Sequence, residues 1–278
     1  MKKLIAFFTI LLSLLLTQSS KGQNPASDPN NTQGWILNTE MSDEFNGTTL
    51  DKTKWWILGE NNDYRNKWKG RAPAQYAGHN VLLDPTKGDL IIQSQWEPNF
   101  NFFDGVDGSG NRYGGTNNSH PITQASILSE NFFRYGYMEI RCKSANAPVT
   151  NAFWTTGYHS EIDMTENYAK RPIGHSQANN PNDQLPKKLR TNIISWDPVM
   201  RDTGNHSYKT EHNIGQNTAS DYFVFGFEWD KDFMKIYFEG QLLETITRSS
   251  NGEVTQKSGL IMLEFGKKKY YQEIVLMH

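Results

Sequence analysis

The sequence predicts an all-β protein, a two-sheet sandwich with Greek-key connections, and three observations point there. Short alternating or apolar runs recur at 80–83, 90–96, 124–129, 136–143, 152–156, 190–196, 222–229, 234–238, 242–247 and 260–265. Gly, Asn, Asp and Pro, the residues of tight turns, punctuate them. No segment carries a long 3.6-residue period closed by helix caps. Many short strands at this spacing pack as two antiparallel sheets.

Taken in order, the chain opens with Lys2 and Lys3, an apolar run from Leu4 to Leu16, and a polar stretch ending at Gly22. This is the pattern of a secretory signal cleaved near Gly22. The run is too short for a comfortable membrane span. With no Cys beside the cleavage zone, no lipid anchor is expected. The chain is therefore expected to be bacterial and exported, either secreted or periplasmic. Residues 23–33 are rich in Asn, Pro and Ser and read as a flexible leader. Residues 34–278 are left as a single domain. A net charge of -2 gives no reason to expect nucleic acid or an anionic membrane as partner. Cys142 is the single cysteine, so no intramolecular disulfide can form. Its strand, Tyr137-Met-Glu-Ile-Arg-Cys-Lys143, turns it inward with Met138 and Ile140, a small buried hydrophobe. Glu139 and Arg141 share the other face and are expected to pair without further role. The 8 Trp, 12 Tyr and 15 Phe are a heavy aromatic load, part core and part platform for the apolar faces of sugar rings. The Gly-rich Asp107–Gly115 matches no phosphate fingerprint and reads as a mobile loop.

The stretch that carries chemistry is Ser160-Glu-Ile-Asp-Met-Thr-Glu-Asn-Tyr168. Alternation along a strand puts Glu161 and Asp163 on one face, with Ile162 and Met164 on the other. Glu166 has the wrong parity, and one extra residue near Met164-Thr165, a β-bulge, would bring it round. Like charges at this density repel, so a strand that aligns them points to catalysis rather than to a solvated edge.

Glu161-Ile-Asp163-Met-Thr-Glu166 resembles the E-x-D-x-x-E signature of the retaining β-glycanases of glycoside hydrolase family 16, in the bulged form of its β-agarase and β-porphyranase branches. The resemblance implies a concanavalin A-like jelly roll with a concave substrate cleft. Glu161 would be the nucleophile, Asp163 its helper and Glu166 the general acid/base. Retention needs one carboxylate to attack the anomeric carbon and a second to protonate the leaving oxygen.

Other segments extend the resemblance. Trp68-Lys-Gly-Arg71-Ala-Pro-Ala-Gln-Tyr76 is similar to agarases and porphyranases and less like laminarinases or lichenases. Trp68 offers a stacking face, and Arg71 a planar fork for hydroxyls or a sulfate. Arg134 is a second candidate for a sulfate. Trp154 resembles the family's cleft tryptophan, His175 lies in the loop after the acidic strand, and Glu264 stands in what looks like the late cleft strand. The C-terminus departs from the pattern. Either 271–276 replaces the family's last strand or that strand is lacking. An Asp that often helps bind a structural calcium is missing with it, so no metal is predicted. The chemistry requires no cofactor. The implied activity is endo-hydrolysis of β-1,4 linkages in a red-algal galactan, porphyran or agar, by a monomer. The alternatives are a non-catalytic carbohydrate-binding protein on the same fold and a β-glucanase of the same family.

Overall fold

A computed structural model describes residues 24–65, 68–157, 160–198 and 207–247, together with the backbone of 271–275. The signal sequence expected at 1–22 lies outside them. Two sheets face each other. The larger has seven strands in the order β1 (Trp55–Ile57), β7 (Ile127–Ser129), β16 (Tyr271–Val275), β9 (Thr150–Thr156), β10 (Ser160–Tyr168), β11 (Lys188–Ser195) and β12 (Ser207–Asn213). The smaller has four, β15 (Gln241–Thr247), β14 (Phe233–Phe238), β13 (Phe223–Trp229) and β8 (Gly136–Cys142). A three-stranded sheet, β2 (Gln75–Tyr76), β6 (Ile122–Gln124) and β5 (Gln95–Trp96), and a hairpin, β3 (Val81–Asp84) with β4 (Asp89–Ile92), flank them. No helix among the described residues is long and apolar enough to cross a membrane.

The core lies between the two large sheets. Trp55, Ile127, Phe153, Ile162, Leu189 and Ile193 project from one, and Ile140, Phe225, Phe227, Trp229, Met234 and Ile236 from the other. These residues alternate with outward ones along their strands, as a sheet with one buried face requires. Cys142 packs against this core, and burial pushes its thiol up to about 12. The residue as a whole is only half-buried. It is the sulfur that sits in apolar surroundings, which makes it a poor nucleophile.

Three expectations are corrected. The leader is folded rather than flexible. Asp28 accepts hydrogen bonds from the backbone N–H of Thr32 and Gln33 and from the Thr32 hydroxyl. The Ala26 N–H donates to Glu139 Oε2 at 2.9 Å. At Gly240 (φ 73°) an added Cβ would lie 2.2 Å from the Ala26 carbonyl oxygen. The segment therefore rests on the four-stranded sheet. Asn, Asp and Ser mark disorder in bulk but also build turns by bonding nearby backbone. Second, Glu139 is held by Ala26, and Arg141 lies over the Tyr222 ring at 4.6 Å, so the two do not form the expected pair. Third, the loop 107–115 is held by its own hydrogen bonds: the Asp107 N–H donates to Asn111 O at 2.8 Å and the Gly110 N–H to Asp107 O at 3.0 Å. Of the two readings of the C-terminus, a strand at Tyr271–Val275 is the one found. It bonds β7 on one side and β9 on the other, an interior position rather than an exposed edge.

The bulge in β10 is present. Against β9, Asp163 pairs with Trp154 and the next pair is Thr165 with Phe153, so Met164 is the extra residue. Met164 and Thr165 both turn inward, at 4% and 3% exposure. The ladder to β11 runs from Ser160 to Asp163 and gives way there to side chains. The Thr191 hydroxyl donates to the Met164 carbonyl at 3.0 Å, and the Arg190 N–H donates to Asn167 Oδ1 at 3.2 Å. A bulge frees backbone groups from the ladder, and buried ones must find partners elsewhere. Thr191→Val keeps the shape but strands the Met164 carbonyl. It should cost about 1–3 kcal/mol, read as a lower urea midpoint at unchanged m-value. An unchanged midpoint would show that Thr191 does not support the bulge.

Candidate active site

Residues paired directly across strands share a face. Glu161 pairs with Thr156, Asp163 with Trp154 and Glu166 with Ala152, three residues that alternate along β9. All three acids therefore look away from the core, on the outer face of the seven-stranded sheet. On the other side, Asp163 pairs with Asn192 and Asn192 with Lys209. Trp154, Asp163, Asn192 and Lys209 thus form one row across four strands. Asp163 is 6% exposed. Glu161 and Glu166 are half-buried and open to the same side.

Two side chains of β11 and its end hold the acids in place. Asn192 Nδ2 donates to Asp163 Oδ2 and to Glu166 Oε2, each at 3.0 Å. Trp196 Nε1 donates to Glu161 Oε2 at 3.0 Å. The Asp163 carboxyl is raised well above the ordinary range, first by burial and then by the charges of Glu161 and Glu166; the bond from Asn192 opposes this. Glu161 is raised as well, mainly by burial. The Trp196 bond opposes that rise, the Glu166 charge adds to it, and the hydrogen bond from Asp163 and the Arg71 guanidinium pull it back down. Asp163 thus holds its proton more tightly than a free carboxyl and is hydrogen-bonded to Glu161. Carboxylates this close titrate as a set, and a proton shared between Asp163 and Glu161 is the cheaper state for that pair. Such a wall can present an attacking carboxylate and a proton donor to one substrate atom pair.

The structure brings some of the expected binding residues to this wall. Trp154 adjoins Asp163 on the same face. Arg71 is exposed and close enough to bias Glu161 by its charge. Trp68 is 42% exposed and stands edge-on to Tyr76 at 5.6 Å. Arg134 is not brought there. It lies over its neighbour Tyr135 at 4.6 Å, and Tyr135 packs on Trp229 of the opposite sheet. A residue just before β8 belongs to the sheet without the acids. His175 sits exposed in the loop after β10, its Nδ1 accepting the Gln177 N–H at 3.1 Å, with no contact to the carboxylates. Glu264 lies outside the described residues. Asn192 and Trp196 were missed. The alternation of Arg190-Thr-Asn-Ile-Ile-Ser-Trp196 does put Arg190, Asn192 and Trp196 on one face. What it lacks is the register against β10 that makes that face the acidic one. Among the described residues, no group of three or more His, Cys, Asp or Glu is set to hold a metal ion.

Comparison with known proteins agrees with this geometry. The crystal structure of porphyranase B from Zobellia galactanivorans matches with a TM-score of 0.63 at 21% identity, covering 87% of this chain and 81% of that one. It shares the fold. Among curated proteins, β-porphyranase B of Zobellia galactanivorans is 24% identical over 266 residues, 91% of this chain and 84% of its own. β-Porphyranase E of the same organism is 28% identical over 228 residues, 78% of this chain and 71% of its own. The model of the β-porphyranase A–D GH16 domain matches residues 35–269. The chain belongs to this porphyranase family of glycoside hydrolases, within glycoside hydrolase family 16.

Proposed function

We propose that the protein is a secreted, endo-acting, retaining hydrolase of β-1,4 linkages in a red-algal galactan. The observation that carries this reading is the outward wall of Glu161, Asp163 and Glu166, clasped by Asn192 and Trp196. Glu161 is the nucleophile, held for attack by the Trp196 indole. Asp163 donates its proton to Glu161 in the resting state and stabilises it as charge shifts in the glycosyl-enzyme. Glu166 protonates the leaving oxygen and then activates water. A lectin would gain nothing from this wall. Burying Asp163 between two acids costs folding stability, and sugar hydroxyls need only neutral donors and acceptors. Secretion rests on the charged and apolar N-terminal pattern of Lys2 to Leu16.

The substrate reading leans to porphyran over agar. Its support is the exposed Arg71, whose guanidinium suits a sulfate oxygen pair. Trp68, which is exposed, and Trp154, which adjoins Asp163 on the outer face, are the stacking faces of this reading. Purified protein should cut porphyran to short oligosaccharides, with the β-anomer appearing first by NMR, and should cut desulfated agarose more slowly. Cleavage of laminarin or lichenan in preference, or the α-anomer first, would overturn this reading.

Glu166→Gln should lower cleavage of sugar–sugar bonds by on the order of 10²–10⁴-fold, the usual worth of a general acid. Its amide still fits beside Asn192, so the fold should survive. The first step on an aryl glycoside with a good leaving group should be spared, and azide should then restore turnover. Full activity on polysaccharide would remove Glu166 from the reaction.

A further inference from the structure

The connection between β5 and β6 runs from Glu97 to Pro121 and has no part in the mechanism above. It is nevertheless tied closely to the segment that carries Arg71. The Ala72 N–H donates to Asp107 Oδ2 at 3.2 Å. The Gly114 N–H donates to the Pro73 carbonyl at 2.8 Å. The buried Tyr113 hydroxyl donates to the Gly70 carbonyl at 3.1 Å. Three positions flanking Arg71, at 70, 72 and 73, thus hang on this one loop. Gly70 itself has φ 121°, and a Cβ there would lie 2.9 Å from the Ala74 carbonyl oxygen, so its backbone is also hemmed in from below. Asp107 organises the loop as well. Its Oδ1 accepts the N–H groups of Ser109 and Asn111, each at 2.9 Å. Those backbone bonds, Asn111 first, hold its carboxyl below the usual range and keep it an acceptor on both oxygens.

We propose that Asp107 is a positioning residue: through the Ala72 N–H it sets the Arg71 guanidinium beside Glu161. This rests on the reading of Glu161 as the reacting carboxylate, but the contact chain does not. Arg71 is a long, exposed side chain whose place depends on where its backbone is held. Glu161 feels Asp163 and Glu166 from its own strand, Trp196 from the end of β11, and the charge of Arg71 from the segment this loop holds. Arg71 is the one cation in that set. Moving it leaves Glu161 among like charges and harder to ionise. The two oxygens of Asp107 have separate duties, so one substitution can divide them. In Asp107→Asn the remaining carbonyl oxygen can keep Ser109 and Asn111, while the amide nitrogen faces the Ala72 N–H and cannot accept from it. The loop keeps its turn and loses its hold on Arg71.

The test is a 13C NMR titration of the Glu161 carboxyl, assigned by its loss in Glu161→Gln. The series comprises wild type, Asp107→Asn, Arg71→Met and the double variant. Arg71→Met should raise the Glu161 midpoint. Asp107→Asn should give a smaller rise in the same direction, and the double variant should match Arg71→Met alone, because both act through one guanidinium. The acid limb of kcat/KM on polysaccharide should move with the midpoint. A wild-type midpoint in Asp107→Asn, or a shift that adds in full to that of Arg71→Met, overturns the proposal. If Asp107→Asn does not fold, Tyr113→Phe, which cuts only the tie to Gly70, is titrated in its place against the same outcomes. The titration needs no turnover. Expected midpoints without galactan hydrolysis would therefore sink the functional reading and leave the positioning role standing.

Discussion

Three carboxylates on one half-dry wall repel one another, and the structure around them is arranged to make that tolerable. Burial and the neighbouring charges make Asp163 hold its proton more tightly, and its hydrogen bond to Glu161 eases the conflict between them. Asn192 supplies one amide to Asp163 and Glu166 together, and Trp196 supplies an indole N–H to Glu161. Charge-assisted bonds of this kind are the stronger sort, and here they offset burial rather than add net stability. Everything else in the seven-stranded sheet serves to hold β9, β10 and β11 in the register that makes these contacts.

That register depends on a single extra residue. Without Met164 as a bulge, Glu166 would fall on the core face beside Ile162 and lie unpaired among apolar side chains, at a cost of several kcal/mol. With it, Met164 and Thr165 share the inward side and Glu166 is returned to the outward one. The bulge has its own cost, a ladder interrupted after Asp163, and the side chains of Thr191 and Asn167 make good the missing bonds. Local strand geometry and the arrangement of reactive groups are therefore one feature seen at two scales.

Much of this was legible in the sequence, and the reasons are specific. Alternation in Glu161-Ile-Asp163-Met placed two acids outward and two apolar residues inward, because strand period is fixed by backbone geometry. The mismatch of Glu166 with that period announced the bulge. Cys142, Ile140 and Met138 were placed inward for the same reason. What could not be read was contact between strands far apart in the chain. Asn192 and Trp196 lie 26 or more positions from the acids they hold, and their parity alone does not say which neighbour they meet. Arg134 lies away from the acids for the complementary reason: it precedes β8, which is close to β10 in the chain, with only β9 between, but belongs to the other sheet. The folded leader shows the limit of composition, since Asp28 and Asn31 close turns with the residues that mark disorder elsewhere.

The central claim is that Asp163 is buried and protonated between two other acids, a state that serves reaction at the expense of stability. A carboxyl raised in the folded state binds its proton more tightly there than in the unfolded chain. Its contribution is therefore fully present below about pH 4, the unfolded value, and is lost as pH rises through the folded one. Asp163→Asn removes that titration while its amide can still donate to Glu161 and its carbonyl still accept from Asn192. The direct measurement is the urea midpoint of both proteins from pH 4 to pH 8. Asp163→Asn should be the more stable protein at pH 7, with the difference shrinking toward pH 4, and should be impaired in hydrolysis. A variant less stable at pH 7, by a margin that does not change with pH, would mean that Asp163 is ionised in the fold and that the shared-proton wall is wrong.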